Sequence, residues 1–186
     1  MARWVYPRPM HRALEAACGL VDRLNAALGR VAAWAVLGIV ITGAANAALR
    51  HIGRWSHTTL AGNAGLDIQW MLFALCFYTG AAYTLQRDAH VRVDVLSGRW
   101  GARTRRWVDA IGGLVCTVPF AWFLIWVGSP AARAAWRVWE GSPDPGGLPR
   151  WPVKVALLGA AGLLLAQAIV EVLRAAGLAA PRAGAR

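Results

Sequence analysis

Four long apolar runs divide this chain into alternating membrane-like and polar segments. They cover residues 31–49, 66–85, 108–127 and 152–173. A helix needs about 20 mostly apolar residues to cross a bilayer, and the charged residues in these windows lie within about two turns of an end, where side chains can reach the interface. Because lipid cannot hydrogen-bond a bare backbone, the runs predict transmembrane α-helices. We therefore expect an all-α membrane protein with one four-helix domain over residues 31–173.

The positions of the Lys and Arg residues orient these helices. Fourteen of the 20 lie in the first 30 residues, between residues 87 and 107, or from Arg174 onward. The other six flank the two remaining connections. Cytoplasmic flanks carry the excess of positive charge, so both termini and the middle connection are predicted to lie in the cytoplasm.

The two ends of the chain differ from the apolar domain. Within residues 1–30, apolar side chains at positions 14, 18, 21, 24 and 28 have helical spacing. They predict an amphipathic helix on the inner membrane surface or a cytoplasmic extension of the first span, with a frayed basic lead-in as the alternative. Residues 174–186 are rich in Ala, Gly and Arg and are predicted to form a disordered cytoplasmic tail.

Composition supports a lipid environment over a nucleic-acid partner. The chain is 58% hydrophobic and 16% charged, with a formal net charge of +11, whereas a soluble domain carries nearer a quarter of charged residues. The Arg residues sit between uncharged runs and not on one basic face, which indicates contact with lipid headgroups. The three Cys show no paired spacing, so we expect neither a disulfide nor a metal site.

A polar segment directly follows the second run, over residues 86–96. If the helix continues there, Arg87, His90 and Asp94 share one stripe, and Arg92 pairs with the residue four positions before it. The alternating apolar residues would also suit a strand, but an isolated strand at a membrane surface has no partner. We interpret this segment as a helical docking face for a partner, with a solvated turn leaving the membrane as the alternative.

The connection before the last run is rich in turn-forming residues. Residues 140–152 contain four Pro and three Gly, which excludes a helix or a central strand there. Leu148, Pro149 and Trp151 are the candidate docking residues of this loop. We interpret it as a shaped loop that packs on another membrane subunit; a plain connector is the alternative.

The apolar runs lack the groups that catalysis or autonomous transport requires. None has an ionisable residue near its centre, whereas a proton-coupled carrier needs one. The His residues near the runs, His51, His57 and His90, lie at opposite predicted faces and cannot share one haem iron, and the outer loops contain no Cys for quinone-linked disulfide chemistry. The sequence therefore predicts a non-catalytic protein without a cofactor.

Two motifs in this pattern resemble a known family. The segment from Tyr83 to Leu96, with its His-x-Arg-x-Asp core, and the segment from Gly147 to Pro152 are similar to stretches in the DctQ-like small membrane subunits of tripartite ATP-independent periplasmic (TRAP) transporters. The similarity extends from about Leu24 to Arg174.

This resemblance implies a place in a larger assembly. In the family, a large membrane subunit carries the solute with sodium, and a periplasmic binding protein delivers it, typically as a carboxylate. The resemblance thus implies a non-catalytic scaffold subunit in the bacterial inner membrane. The alternatives are a small carrier that acts alone and a membrane redox or assembly factor.

Overall fold

The chain forms an all-helical bundle in its computed structural model, which describes residues 9–57, 61–87 and 101–180. The described residues contain four long helical segments, and each is long and apolar enough to cross a membrane. This confirms the predicted fold class. The helices are α1 (Pro9–Ser56), α2 (Asn63–Gln86), α3 (Ala102–Gly112), α4 (Val118–Arg137) and α5 (Trp151–Ala175), and a π-helical turn (Gly113–Thr117) joins α3 to α4 in one rod.

Helix α1 contains the first apolar run together with the segment that precedes it. It is 48 residues long, or roughly 70 Å at the α-helical rise. Four of its buried positions, Cys18, Asn25, Ala32 and Asn46, are spaced by seven or fourteen residues, and Ala35 is also buried. A seven-residue repeat keeps one seam against a neighbouring helix. The N-terminal segment from Pro9 is therefore helical and continuous with the first span, and its position at the membrane surface stays a prediction.

Helices α1 and α2 run antiparallel and approach closely at small residues. A methyl group added to Gly38 would lie 3.1 Å from Cδ1 of Leu72, and one added to Gly29 would meet the ring of Tyr83 at 2.5 Å. Small residues let the backbones of membrane helices approach each other in this way. The pairing places Gln86, the last residue of α2, near Asp22 of α1.

The third helical segment, which consists of α3, the π-helical turn and α4, contains two prolines. Pro119 cannot donate a hydrogen bond to the preceding turn, and the π-helical turn Gly113–Thr117 lies just before it. Pro130 leaves the carbonyl of Trp126 without its helical donor, and the hydroxyl of Ser129 donates to that oxygen at 3.3 Å. The helix therefore continues to Arg137, beyond the predicted end of the third span at residue 127.

Large apolar side chains face outward, whereas small ones fill the interior. The most buried apolar residues are mainly alanines, and Ala82, Ala121 and Leu164 form a core where α2, α4 and α5 meet. Trp34 and Phe77 are among the many large apolar residues on the exterior. A soluble domain would not expose such an extensive apolar surface, so this distribution fits a bundle surrounded by lipid.

Candidate functional site

The loop between α4 and α5 begins with a defined helix end. The N–H of Trp139 donates to the carbonyl of Trp136 at 3.3 Å, and the N–H of Glu140 donates to the carbonyl of Ala135 at 3.0 Å. This is the Schellman pattern, in which the residue after the helix adopts a left-handed conformation. Trp139 occupies that position with a φ of 49°, where glycine is usually found. These two backbone hydrogen bonds and the left-handed conformation of Trp139 therefore set the direction in which the chain leaves α4.

A tight turn reverses the same loop. The N–H of Gly147 donates to the carbonyl of Asp144 at 3.0 Å, and Gly146 has a φ of 72°. Pro145 precedes this glycine, which completes the Pro-Gly pattern of a type II turn. Pro145 and Gly146 thus form a defined turn in this loop, and its packing on another membrane subunit stays a prediction.

Asp67 of α2 attaches this loop to the bundle. One carboxylate oxygen accepts from the backbone N–H of Leu148 at 2.8 Å, and the other accepts from Nε1 of Trp70, also at 2.8 Å. Asn63 adds a hydrogen bond from its amide to the carbonyl of Pro145 at 3.1 Å. Asp67 is only 3% exposed. A single carboxylate therefore joins the start of α2 to a loop that is 81 residues away in the sequence.

Glu140 and Lys154 close the base of the loop. The ammonium of Lys154 lies 2.7 Å and 2.5 Å from the two carboxylate oxygens of Glu140. The carbonyl of Glu140 accepts from the N–H of Arg150 at 2.8 Å. Glu140, three residues after the end of α4, is thereby bound to the residues at the start of α5. We call the set of Asp67, Trp70, Glu140, Leu148, Arg150 and Lys154 the loop clasp.

Aromatic rings surround the loop clasp. The rings of Trp136, Trp139 and Trp151 pack together, with centroids 4.7 Å to 5.8 Å apart. The guanidinium of Arg150 lies over the ring of Trp70 at 5.6 Å from its centroid, a cation–π arrangement. Trp residues prefer the membrane–water interface, so this end of the bundle has the chemistry of an interfacial belt.

A second polar cluster lies at the other end of the bundle. Arg174 of α5 donates to Asp22 of α1 at 2.6 Å and 3.3 Å, and to Glu171 at 3.4 Å. Gln167 donates to both carboxylates, at 3.2 Å to Asp22 and 2.7 Å to Glu171. Asn25 donates to Gln167 at 2.7 Å. We call these five residues the Arg174 network.

The carboxylates determine how the buried amides of this network are oriented. Gln167 is fully buried, and Asn25 is 1% exposed. The amide nitrogen of Gln167 must face Asp22 and Glu171, because carboxylates only accept hydrogen bonds. Its oxygen therefore faces Asn25, which must present its own amide nitrogen. The side-chain amide of Gln86 also donates to the backbone carbonyl of Asp22, at 2.8 Å, so α1, α2 and α5 are joined at one level.

Between the two clusters the apolar stretches of the bundle contain no charged residue. Lys154 and Glu171 are separated by 17 residues of α5, or about 26 Å at the α-helical rise. No Asp, Glu, Lys, Arg or His occurs in the interior stretches 31–49, 68–86, 110–132 and 155–170. Within the described ranges, no three His, Cys, Asp or Glu side chains converge as metal ligands. The charged groups that join helices are therefore at the two ends.

The candidate docking residues are divided between the two ends. Arg87 caps α2, is exposed, and stacks over Tyr83 at 5.3 Å from the ring centroid. His90, Arg92 and Asp94 lie outside the described residues. At the other end, Leu148 and Trp151 are half-buried in contacts within the chain, whereas Pro149 is exposed. Their role in docking stays a prediction.

Sequence reasoning did not identify the residues that join the helices. In the sequence, Asp67 is one of several charges near the ends of the apolar runs, and Gln167 is a single polar residue within the last run. A signal did exist on the last helix, where Gln167, Glu171 and Arg174 have i, i+4, i+7 spacing and share one face. The spacing of seven between Cys18 and Asn25 similarly indicated a buried seam.

These features define a class of protein, a multi-pass helical membrane protein that is closed by polar contacts at both ends. A comparison with protein families specifies it further. The model of the family described as tripartite ATP-independent periplasmic transporters, DctQ component, matches residues 52–177, and the chain belongs to this family. It is therefore the small membrane component of a TRAP transporter. Neither the curated proteins nor the solved structures gave a match.

Proposed function

We propose that this chain is a non-catalytic scaffold subunit of a sodium-coupled TRAP transporter that imports organic carboxylates. It works with a large membrane subunit, which carries the solute, and with a periplasmic binding protein, which delivers it. It lies in the bacterial inner membrane with both termini in the cytoplasm. The observation that carries this proposal is the distribution of charge in a DctQ-family bundle, since every charge that joins described helices lies at an end.

This distribution suits a scaffold better than a carrier. A carrier that moves an ion or a carboxylate needs polar or ionisable groups near the bilayer midplane, commonly at broken helices. The interior stretches of this chain contain no such charge. The loop clasp and the Arg174 network hold the helices at fixed positions, which is the property required of a static support.

Reconstitution separates this proposal from a carrier that acts alone. Liposomes with the chain alone should show no sodium-driven uptake of carboxylates, whereas liposomes that also contain the large subunit should transport when the binding protein is added. Uptake by the chain alone would overturn the scaffold proposal. A haem spectrum in the purified chain would favour a redox role instead.

We further propose that Arg87, His90, Arg92 and Asp94 dock the large subunit at the cytoplasmic surface, with Leu148, Pro149 and Trp151 as a second contact. Charge reversal at Arg92 and Asp94 should reduce the recovery of a tagged large subunit severalfold and lower uptake with it. Arg133→Glu is the control, because Arg133 is exposed and hydrogen-bonds only within its own helix among the described residues. Undiminished recovery and uptake in the double variant would refute the docking role.

A further inference from the structure

The Arg174 network contains two polar atoms whose hydrogen bonds the described residues do not complete. Oδ1 of Asn25 and Nε of Arg174 are both buried, and neither has a hydrogen-bond partner among the described residues. A buried polar atom without a partner is costly, and more so when it belongs to a charged group. In native proteins such an atom usually binds an ordered water or an ion.

The position of the Asn25 oxygen is fixed by its neighbours. Gln167 presents its amide nitrogen to the carboxylates of Asp22 and Glu171, so its oxygen accepts from Nδ2 of Asn25 at 2.7 Å. Turning the Asn25 amide over would place two oxygens against each other, since neither can donate. Oδ1 of Asn25 therefore faces away from Gln167 and needs a donor from elsewhere.

The guanidinium of Arg174 is held by its two terminal nitrogens. Nη2 donates to Asp22 at 2.6 Å, and Nη1 donates to Asp22 at 3.3 Å and to Glu171 at 3.4 Å. These contacts fix the planar group against the carboxylates, so that the N–H at Nε requires an acceptor of its own. Because Nε is buried, bulk solvent does not supply that acceptor.

The chemistry of the two atoms selects the ligand. The N–H of Nε belongs to a cation and repels a metal ion, while the carboxylates of Asp22 and Glu171 repel an anion. Oδ1 of Asn25 requires a donor. Water is neutral, donates and accepts, and commonly makes about three hydrogen bonds to buried polar groups. A side chain of another subunit does not reach either atom, because both are buried.

Water has a route to these atoms from the end of the bundle. The side chains of Glu171 and Asp22 are 31% and 17% exposed. Gln167 and Asn25 lie about one turn further toward the middle and are enclosed. Beyond them, residues 155–170 of α5 contain no charged side chain. The network is thus open to water at its rim and closed by apolar helix beneath.

We propose that ordered water is part of the Arg174 network, bound at Nε of Arg174 and at Oδ1 of Asn25. This water completes the hydrogen bonds of the side chains that join α1 to α5. The site belongs to the chain by itself and does not depend on the transporter assembly.

Polarisation transfer from water in solid-state NMR tests this site. The full-length, isotope-labelled chain is reconstituted in bilayers, and spectra are recorded at short mixing times. Water should transfer to the Nε–H of Arg174 and to the side-chain amide of Asn25 severalfold more than to buried core positions. The backbone N–H groups of Ala82 and Leu164 are the core reference. Transfer no stronger than at this reference would overturn the proposal.

Two further measurements identify the signal and the ligand. Arg174→Lys keeps the positive charge but has no Nε–H, so the water signal assigned to Nε should vanish. A signal that persists at that position comes from another group and refutes the site at Nε. The Tm of the wild-type chain should agree within about 1 °C between sodium chloride and choline chloride of equal ionic strength. A higher Tm in sodium would mean that a cation, which stabilises the fold that binds it, occupies the network instead of water.

Discussion

The ion pair between Arg174 and Asp22 should make the largest single polar contribution to the packing of α1 on α5. Both side chains are mostly buried, at 12% and 17% exposure. Arg174→Gln keeps a polar side chain of intermediate length but removes the charge and the guanidinium fork. It takes the Arg174 guanidinium away from the carboxylates of Asp22 and Glu171, which also share the amide of Gln167.

The expected cost follows from the geometry. Of the three hydrogen bonds from Arg174, only the one at 2.6 Å is short; those at 3.3 Å and 3.4 Å are long. A hydrogen bond to a charged group contributes about 1.5–3 kcal/mol, whereas polar contacts between membrane helices average nearer 0.6 kcal/mol. With one strong bond lost, we expect a destabilisation of about 2 kcal/mol. For a chain of this size that corresponds to a fall in Tm of about 4–8 °C.

A double-mutant cycle in detergent measures this contribution. The Tm of the wild type, Asp22→Asn, Arg174→Gln and the double variant is followed by circular dichroism, with Arg133→Gln as the surface control. The two single changes should be strongly non-additive, because each disrupts the same pair. The reasoning would be refuted if the Tm of Arg174→Gln lay within about 1 °C of the wild-type Tm, which is far less than the expected fall. It would also be refuted if the effects of the two single changes on Tm were simply additive.

Three further predictions concern the loop, a helix contact and a proline site. Asp67→Ala should release the loop between α4 and α5 from α2, so limited proteolysis should cut this loop severalfold faster; an unchanged rate would contradict the role of this carboxylate. Gly29→Ala should lower Tm because its methyl group would meet the ring of Tyr83, whereas Gly80→Ala, with open space around it, should not; equal effects would refute the close approach. Ser129→Ala should cost about 1 kcal/mol of unfolding free energy by removing a hydrogen bond at Pro130, and an unaltered melt would show that this bond is dispensable.

The sequence was sufficient to predict the helices, because hydropathy is a local property. A helix that crosses lipid satisfies its own backbone, so the number of spans depends on each run alone. The Pro and Gly residues of the loop between α4 and α5 likewise predicted a turn, and the positive φ of Gly146 follows from local sterics. The end of the third span was harder to place, because Pro130 resembles a helix stop unless Ser129 is known to satisfy the freed carbonyl.

The pairing of the polar residues depends on how the helices pack. Asp67 and Leu148 are 81 residues apart, and Asp22 and Arg174 are 152 apart. Many polar residues near helix ends offered similar charge and spacing, and sequence alone gave no reason to prefer these pairs. The choice depends on which faces of α1, α2 and α5 meet and at what depth, and this is set by the close packing of Gly and Ala along the helix seams. The number of membrane helices thus follows from local hydropathy, and the packing of those helices determines which side chains hold them together.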